Sequence, residues 1–216
     1  MRIKVLLENS EKIELPVNYN YYLSSAIYKC LNQSDAEYAF FLHEEGYTTS
    51  KGKRFKFFTF SQLQAEKRQI VGDKIRFLSP TITWYVSSPS ESFLGNFAAA
   101  LLERRQLDVG GTRLRLKDVF IPKSPRFSER MRFTCLSPIT ISTVIEQDGK
   151  KVAHYCRPDE DKFSEKIRQN LIGKYEALHG RLPSSDLSAC NAQAGNFKLE
   201  FDSEYQKRHG GRITKL

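Results

Sequence analysis

The sequence predicts an α+β protein made of two ferredoxin-like (RRM-like) βαββαβ units in tandem, the second incomplete. Three observations predict it. Apolar residues recur with alternating strand and helical periods in the order β-α-β-β-α-β through residues 1–122. A polar, proline-containing stretch, PKSPRFSER (122–130), then interrupts the pattern. Beyond it, in residues 123–216, the order begins again and stops after β-α-β. The predicted domains are therefore 1–122 and 123–216, the second one truncated.

The elements follow in order. Ile3, Val5 and Leu7 alternate with Arg2, Lys4 and Glu8, which is a half-buried strand. Leu23, Ala26, Ile27, Cys30 and Leu31 fall at helical spacing within 19–32, and a shorter helical piece covers Ala36 to Leu42. The basic, glycine-containing loop YTTSKGKR leads into FKFFTFS, expected as one aromatic strand. Strands are predicted at Lys74–Phe77 and Ile82–Val86. Ser88-Pro89-Ser90-Glu91 reads as a capping box with proline at the first helical position. The helix it opens turns Phe93, Leu94, Phe97, Ala98, Leu101 and Leu102 toward a core, and Arg113–Phe120 is a further strand.

In the second unit Ile139, Ile141, Thr143 and Ile145 alternate along a strand. A helix is predicted from about Asp159 to His179, with Phe163, Ile167, Leu171, Tyr175 and Leu178 on one stripe and Gly180 at its end. Phe197, Leu199 and Phe201 alternate in another strand.

Composition bounds the function. No apolar run approaches membrane-spanning length, and the N-terminus reads as a strand rather than a signal peptide. Cys30, Cys135, Cys156 and Cys190 form neither a CxxC pair nor a zinc or disulfide pattern, so reduced thiols in a cytoplasmic protein are expected. Positive charge is concentrated. Residues 51–80 carry 8 Lys and Arg against 2 acids, and 104–132 carry 9 against 3, whereas 1–50 are acidic. Such focusing suits a polyanion.

Phosphate-binding GxxxxGK[ST] and dinucleotide GxGxxG patterns are absent, as are a GxSxG elbow and the paired acids of a two-metal nuclease. RNA, however, supplies its own nucleophile in the 2′-OH. Cutting it needs a base, an acid and a cation for the crowded phosphate. His43, in FFLHEEGY before the basic loop, is the candidate for proton transfer, as acid or base. Tyr28 shares a helix face with Tyr21, Ser24 and Ser25, so its hydroxyl is expected to point away from the core. Lys51, Lys53, Arg54 and Lys56 interleave with Phe55, Phe57, Phe58 and Phe60, combining charge with stacking surfaces for RNA. Segment 51–80, including Lys67 and Arg68, is expected to line the scissile site. Segment 104–132, including Arg113, Arg115 and Lys117, is expected to track the backbone.

Taken together, YYLSSAIYKCL, FLHEEGY, the basic stretch into FKFFTFSQL, CLSPITIST and RPDEDKFSEKIRQNLIGKYEALHG resemble the CRISPR-associated repeat-RNA endoribonucleases, the Cas-six family of the RAMP superfamily. The resemblance implies paired ferredoxin-like domains and a catalytic set of helix tyrosine, following histidine and lysine beside the next strand. These match Tyr28, His43 and Lys56, with Lys51 and Lys53 as alternatives for the lysine. It also implies metal-independent 2′-OH attack giving 2′,3′-cyclic phosphate and 5′-OH ends, with His43 as base or acid, Tyr28 orienting or assisting as base, and Lys56 stabilising charge. No cofactor or metal is expected. The implied partner is CRISPR repeat RNA, precursor and mature guide, bound by a homodimer or within an interference complex. The glycine-rich loop that the family carries before its last strand is missing; His209-Gly210-Gly211 is not that loop. A non-catalytic RNA-binding subunit of a CRISPR ribonucleoprotein is the first alternative, and a basic protein-binding module the second.

Overall fold

The structure is a computed structural model describing residues 1–9, 13–126 and 139–183. The predicted strand Phe197–Phe201, Cys135, Cys190 and the basic tail lie outside the described residues. The chain divides into two compact units, one of residues 1–48 and 54–138, the other of 49–53 and 139–216.

In the first unit, β1 (Arg2–Glu8) is the middle of a five-stranded antiparallel sheet. Its neighbours are β8 (Thr81–Ser87) and β10 (Thr112–Phe120); β5 (Thr59–Phe60) and β9 (Gln106–Val109) form the edges. The spatial order is β5-β8-β1-β10-β9. Alternation selects the faces: Ile3, Val5, Leu7, Ile82, Trp84 and Val86 are buried, and the residues between them are not. Two helices supply the opposing surface, α1 (Asn20–Ser34) through Leu23, Ile27 and Leu31, and α3 (Glu91–Arg104) through Phe93 and Phe97. Two buried polar tips find partners. The Trp84 indole N–H donates to Ser61 O at 3.0 Å, and the Tyr19 hydroxyl accepts from Leu63 N at 3.0 Å.

A second small sheet sits in the same unit, ordered β2 (Glu14–Pro16), β7 (Lys74–Phe77), β6 (Arg68–Val71). Along the chain between α1 and β5 come α2 (Ala36–Phe40), a π-helical turn at Phe41–Glu45, and the short pair β3 (Tyr47–Thr48) and β4 (Arg54–Phe55).

Several expectations are corrected. The aromatic run FKFFTFS is not one strand. It breaks between β4 and β5, where Phe57 takes a positive φ of 45°. The cap of α3 is Ser90, not Ser88: the Ser90 hydroxyl accepts from Phe93 N, while Ser88 Oγ is committed to Phe57 O at 2.7 Å. Pro89 therefore precedes the cap instead of opening the helix. Leu102 is exposed rather than core, and Ala98 is only partly buried.

The second unit contains β11 (Ser142–Gln147) hairpinned to β12 (Lys150–Tyr155), then α4 (Asp161–His179). Asp148 and Gly149, both at positive φ, make the tight turn that pairs β11 with β12. Ile139 and Ile141 precede the strand they were expected to join. Along α4 only Phe163 is buried, and Leu171 is exposed. No helix among the described residues is long and apolar enough to cross a membrane.

Candidate active site

The first unit brings Tyr28, His43 and Lys56 together from three elements. Tyr28 comes from α1, where its ring lies against Phe58 at 5.7 Å. His43 comes from the π-helical turn. There Gly46 N donates to Phe41 O at 2.7 Å, one residue wider than an α-turn, and this widened end carries the imidazole to the Tyr28 ring. The two ring centroids are 5.1 Å apart and nearly perpendicular. Lys56, between β4 and β5, donates from Nζ to the His43 carbonyl at 2.7 Å, and the same Nζ lies 5.5 Å from the Tyr28 ring centroid. A cation at this carbonyl suits the negative end of the helical segment.

A neighbouring carboxylate bears on the tautomer of His43. His43 Nδ1 is 2.6 Å from Glu44 Oε1. A carboxylate there favours the tautomer with hydrogen on Nδ1, leaving Nε2 as the free base of an imidazole that is 60% exposed. Arg54 in turn donates to the Glu44 carbonyl at 3.0 Å. Glu44 was not singled out from the sequence, although its place beside His43 in FLHEEGY was the available sign.

Tyr28 differs from expectation. Its ring packs against the core and its hydroxyl is buried without a hydrogen-bond partner, rather than pointing outward. Residue 28 follows Ile27 closely enough on α1 for the ring to reach Phe58. Burial pushes the phenol above its ordinary value, which disfavours the base role and favours a proton-bearing donor. Tyr28 and His43 share an open cleft of about 590 Å³ with Lys29, Asn32, Gln33, Arg104 and Asp108.

The other predicted cations are spread. Arg113, Arg115 and Lys117 are exposed on β10, alternating with buried Leu114 and Leu116 and so facing away from the helices. Arg113 approaches Asp108 at 3.7 Å and Arg115 approaches Glu8 at 4.0 Å. Lys117 falls at a register shift, where Leu6 pairs with Asp118 and Leu7 with Leu116. Lys67 and Arg68 line a different cleft, of about 660 Å³, with Gln64–Gln69 and Leu78, so segment 51–80 does not converge on His43 as a whole. Lys51 and Lys53 belong to the stretch that groups with the second unit. There Glu176, held below its ordinary value first by hydrogen bonds from Ser50, also feels the Lys51 charge.

An imidazole, a phenol and an ammonium thus stand close together in a unit whose open sheet face is basic. Residues 14–120 match the family model described as CRISPR-associated protein Cas6, N-terminal, and residues 121–213 match CRISPR associated protein Cas6, C-terminal. The chain belongs to the Cas6 family. It is 35% identical over 179 residues to CRISPR-associated endoribonuclease Cas6 1 of Methanocaldococcus jannaschii, covering 83% of this chain and 67% of that protein. Among solved structures, one titled CRISPR associated protein Cas6 matches with a TM-score of 0.65 at 34% identity, covering 85% of this chain and 73% of the other. Another, titled An RAMP protein binding different RNA substrates, matches with a TM-score of 0.69 at 28% identity, covering 85% and 74%.

Proposed function

We propose that this protein is an endoribonuclease that cuts CRISPR precursor RNA within its repeats, by attack of a 2′-OH on the adjacent phosphate. The observation that carries the proposal is the convergence of Tyr28, His43 and Lys56, three residues distant in sequence: Tyr28 and His43 line one cleft, and the Lys56 ammonium reaches the His43 carbonyl and the Tyr28 ring. The kinship with a protein named as an endoribonuclease and with one titled as binding RNA supports the substrate.

His43 Nε2 removes the 2′-OH proton or protonates the 5′ leaving oxygen. The Tyr28 hydroxyl, kept protonated by burial, donates to the phosphate or the leaving oxygen. The Lys56 ammonium offsets the extra negative charge of the phosphorane. The P–O5′ bond breaks as the P–O2′ bond forms, so the products are a 2′,3′-cyclic phosphate and a 5′-OH. These roles need no metal ion. The exposed cations of β10 follow the RNA backbone. The strand order β5-β8-β1-β10-β9, with α1 and α3 on one face, supports reading residues 1–122 as a ferredoxin-like domain. Residues 123–216 are read as a second one by the family resemblance alone. The protein acts in the cytoplasm, where its RNA is made.

The test is incubation of labelled repeat RNA with the protein in EDTA, beside His43→Ala. A single cut ending in a cyclic phosphate, lost in the variant, is expected. Cutting that survives in His43→Ala, or that requires added metal, refutes the mechanism.

A further inference from the structure

We propose that His154, Cys156 and Glu160, in the second unit, form a binding site for one divalent cation of the zinc class. No spacing motif announces it, because the third ligand arrives through a turn. His154 lies on β12 and Cys156 directly follows the strand, its N–H bonded to Ile141 O, so the two stand two residues apart in nearly extended chain. The turn 157–160 then folds Glu160, the N-cap residue of α4, back onto them. The imidazole nitrogen, the sulfur and the carboxylate oxygen all lie within 4.8 Å of one another.

The turn also holds the ligands in place. Glu160 Oε1 accepts from Arg157 N at 3.0 Å, which leaves Oε2 facing His154 Nε2 at 2.9 Å. Cys156 N donates to Ile141 O at 2.9 Å, fixing the end of the strand. Supporting hydrogen bonds of this kind orient metal ligands. Cys156 is buried, while the His154 and Glu160 side chains are 37% and 32% exposed, so an ion can enter from solvent and keep a water as fourth ligand.

A nitrogen, sulfur and oxygen set suits zinc and not calcium or magnesium, which take oxygen ligands. Bonds of about 2.0–2.3 Å to one tetrahedral ion place donors about 3.3–3.8 Å apart, a modest adjustment from the present separations. On binding, the Cys156 thiol loses its proton to solvent, and sulfur, nitrogen and oxygen donate lone pairs; nothing is oxidised or reduced. The ion would replace the hydrogen bond between His154 and Glu160 and tie β12 to the first turn of α4. This inference is independent of the proposed nuclease reaction.

The experiment is titration of the metal-stripped full chain with Co²⁺, followed by Zn²⁺. One equivalent of Co²⁺ should bind with a thiolate-to-cobalt charge-transfer band that Zn²⁺ abolishes. Cys156→Ser should lose that band, and Glu160→Gln and His154→Gln should weaken binding about tenfold or more. Circular dichroism of each variant without metal establishes that it is folded. If Cys156→Ser does not fold, the two other variants decide. Absence of stoichiometric Co²⁺ binding, a charge-transfer band that persists in folded Cys156→Ser, or wild-type affinity in both Glu160→Gln and His154→Gln overturns the proposal.

Discussion

Replacing Gly46 by Ala should unfold the first unit more readily and disable cleavage. Gly46 ends the π-helical turn with φ 66° and ψ −174°, a combination almost confined to glycine. An alanine there carries about 1–3 kcal/mol of backbone strain. Its Cβ would also stand 2.8 Å from the Phe55 carbonyl oxygen. That oxygen cannot retreat cheaply, because Phe55 is paired with Tyr47 in the β3–β4 ladder. Relieving such an overlap costs about 1–3 kcal/mol. Together the two effects should cost about 3 kcal/mol, a fall in Tm of roughly 6–12 °C for a chain of this size. Gly72→Ala is the matched control: its φ is 62°, but nothing lies within 4 Å of the added Cβ, so about 1 kcal/mol of strain is all it should cost. Trp84 is the chain's single tryptophan and is buried in the first unit, so its fluorescence in urea follows this unit specifically. Because Gly46 separates His43 from the strand leading to Lys56, cleavage should fall well below the melting temperature too. Equal destabilisation by the two substitutions would refute the reasoning.

Other expected outcomes follow from the same geometry. Tyr28→Phe removes a buried hydroxyl that has no partner, so stability should hold or rise by about 1 kcal/mol while single-turnover cleavage falls; a loss of stability in urea would contradict the geometry. Glu44→Gln removes the charge beside His43 Nδ1 at an exposed site, so the cleavage rate should drop by about three- to tenfold with RNA affinity unchanged, read by single-turnover kinetics beside filter binding. Neutralising Arg113, Arg115 or Lys117 should lower the slope of log affinity against log salt by about 0.7 each for single-stranded RNA, as measured by titrations across a salt series; an unchanged slope would remove β10 from the interface.

Elements with long amphipathic stripes were legible in the sequence: β1, α1, α3, β10 and α4 lie within two residues of expectation at either end. Among the short ones β7 was read at its observed bounds, whereas β6 and β9 were not read. β6 is exposed along its whole length and so has no alternation to read. β9 follows α3 almost directly and was hidden behind it. Yet the turns Gly72-Asp73, Gly110-Gly111 and Asp148-Gly149 each mark a hairpin, and they carried information that the apolar pattern lacked. The grouping of Tyr28, His43 and Lys56 came from resemblance; composition alone could not bring a helix face, a turn and a loop together. Helical spacing misplaced the Tyr28 hydroxyl because the aromatic run 55–60 bends at Phe57, bringing Phe58 up against α1, where Tyr28 is no longer on an open face.

The widened turn at Phe41–Glu45 makes the reach of His43 a matter of counting. A π-turn holds one more residue than an α-turn over nearly the same rise, so it behaves as a single-residue insertion absorbed into a helix end. Deleting Phe41 or Leu42 would let α2 run on as an ordinary helix and swing the histidine by about 100° around the axis. The imidazole would then face away from the Tyr28 ring, although every side chain that touches either ring was still encoded. In this protein the meeting of histidine and tyrosine thus depends on the length of a segment as much as on its composition, and a gap there would separate a cutter from a binder.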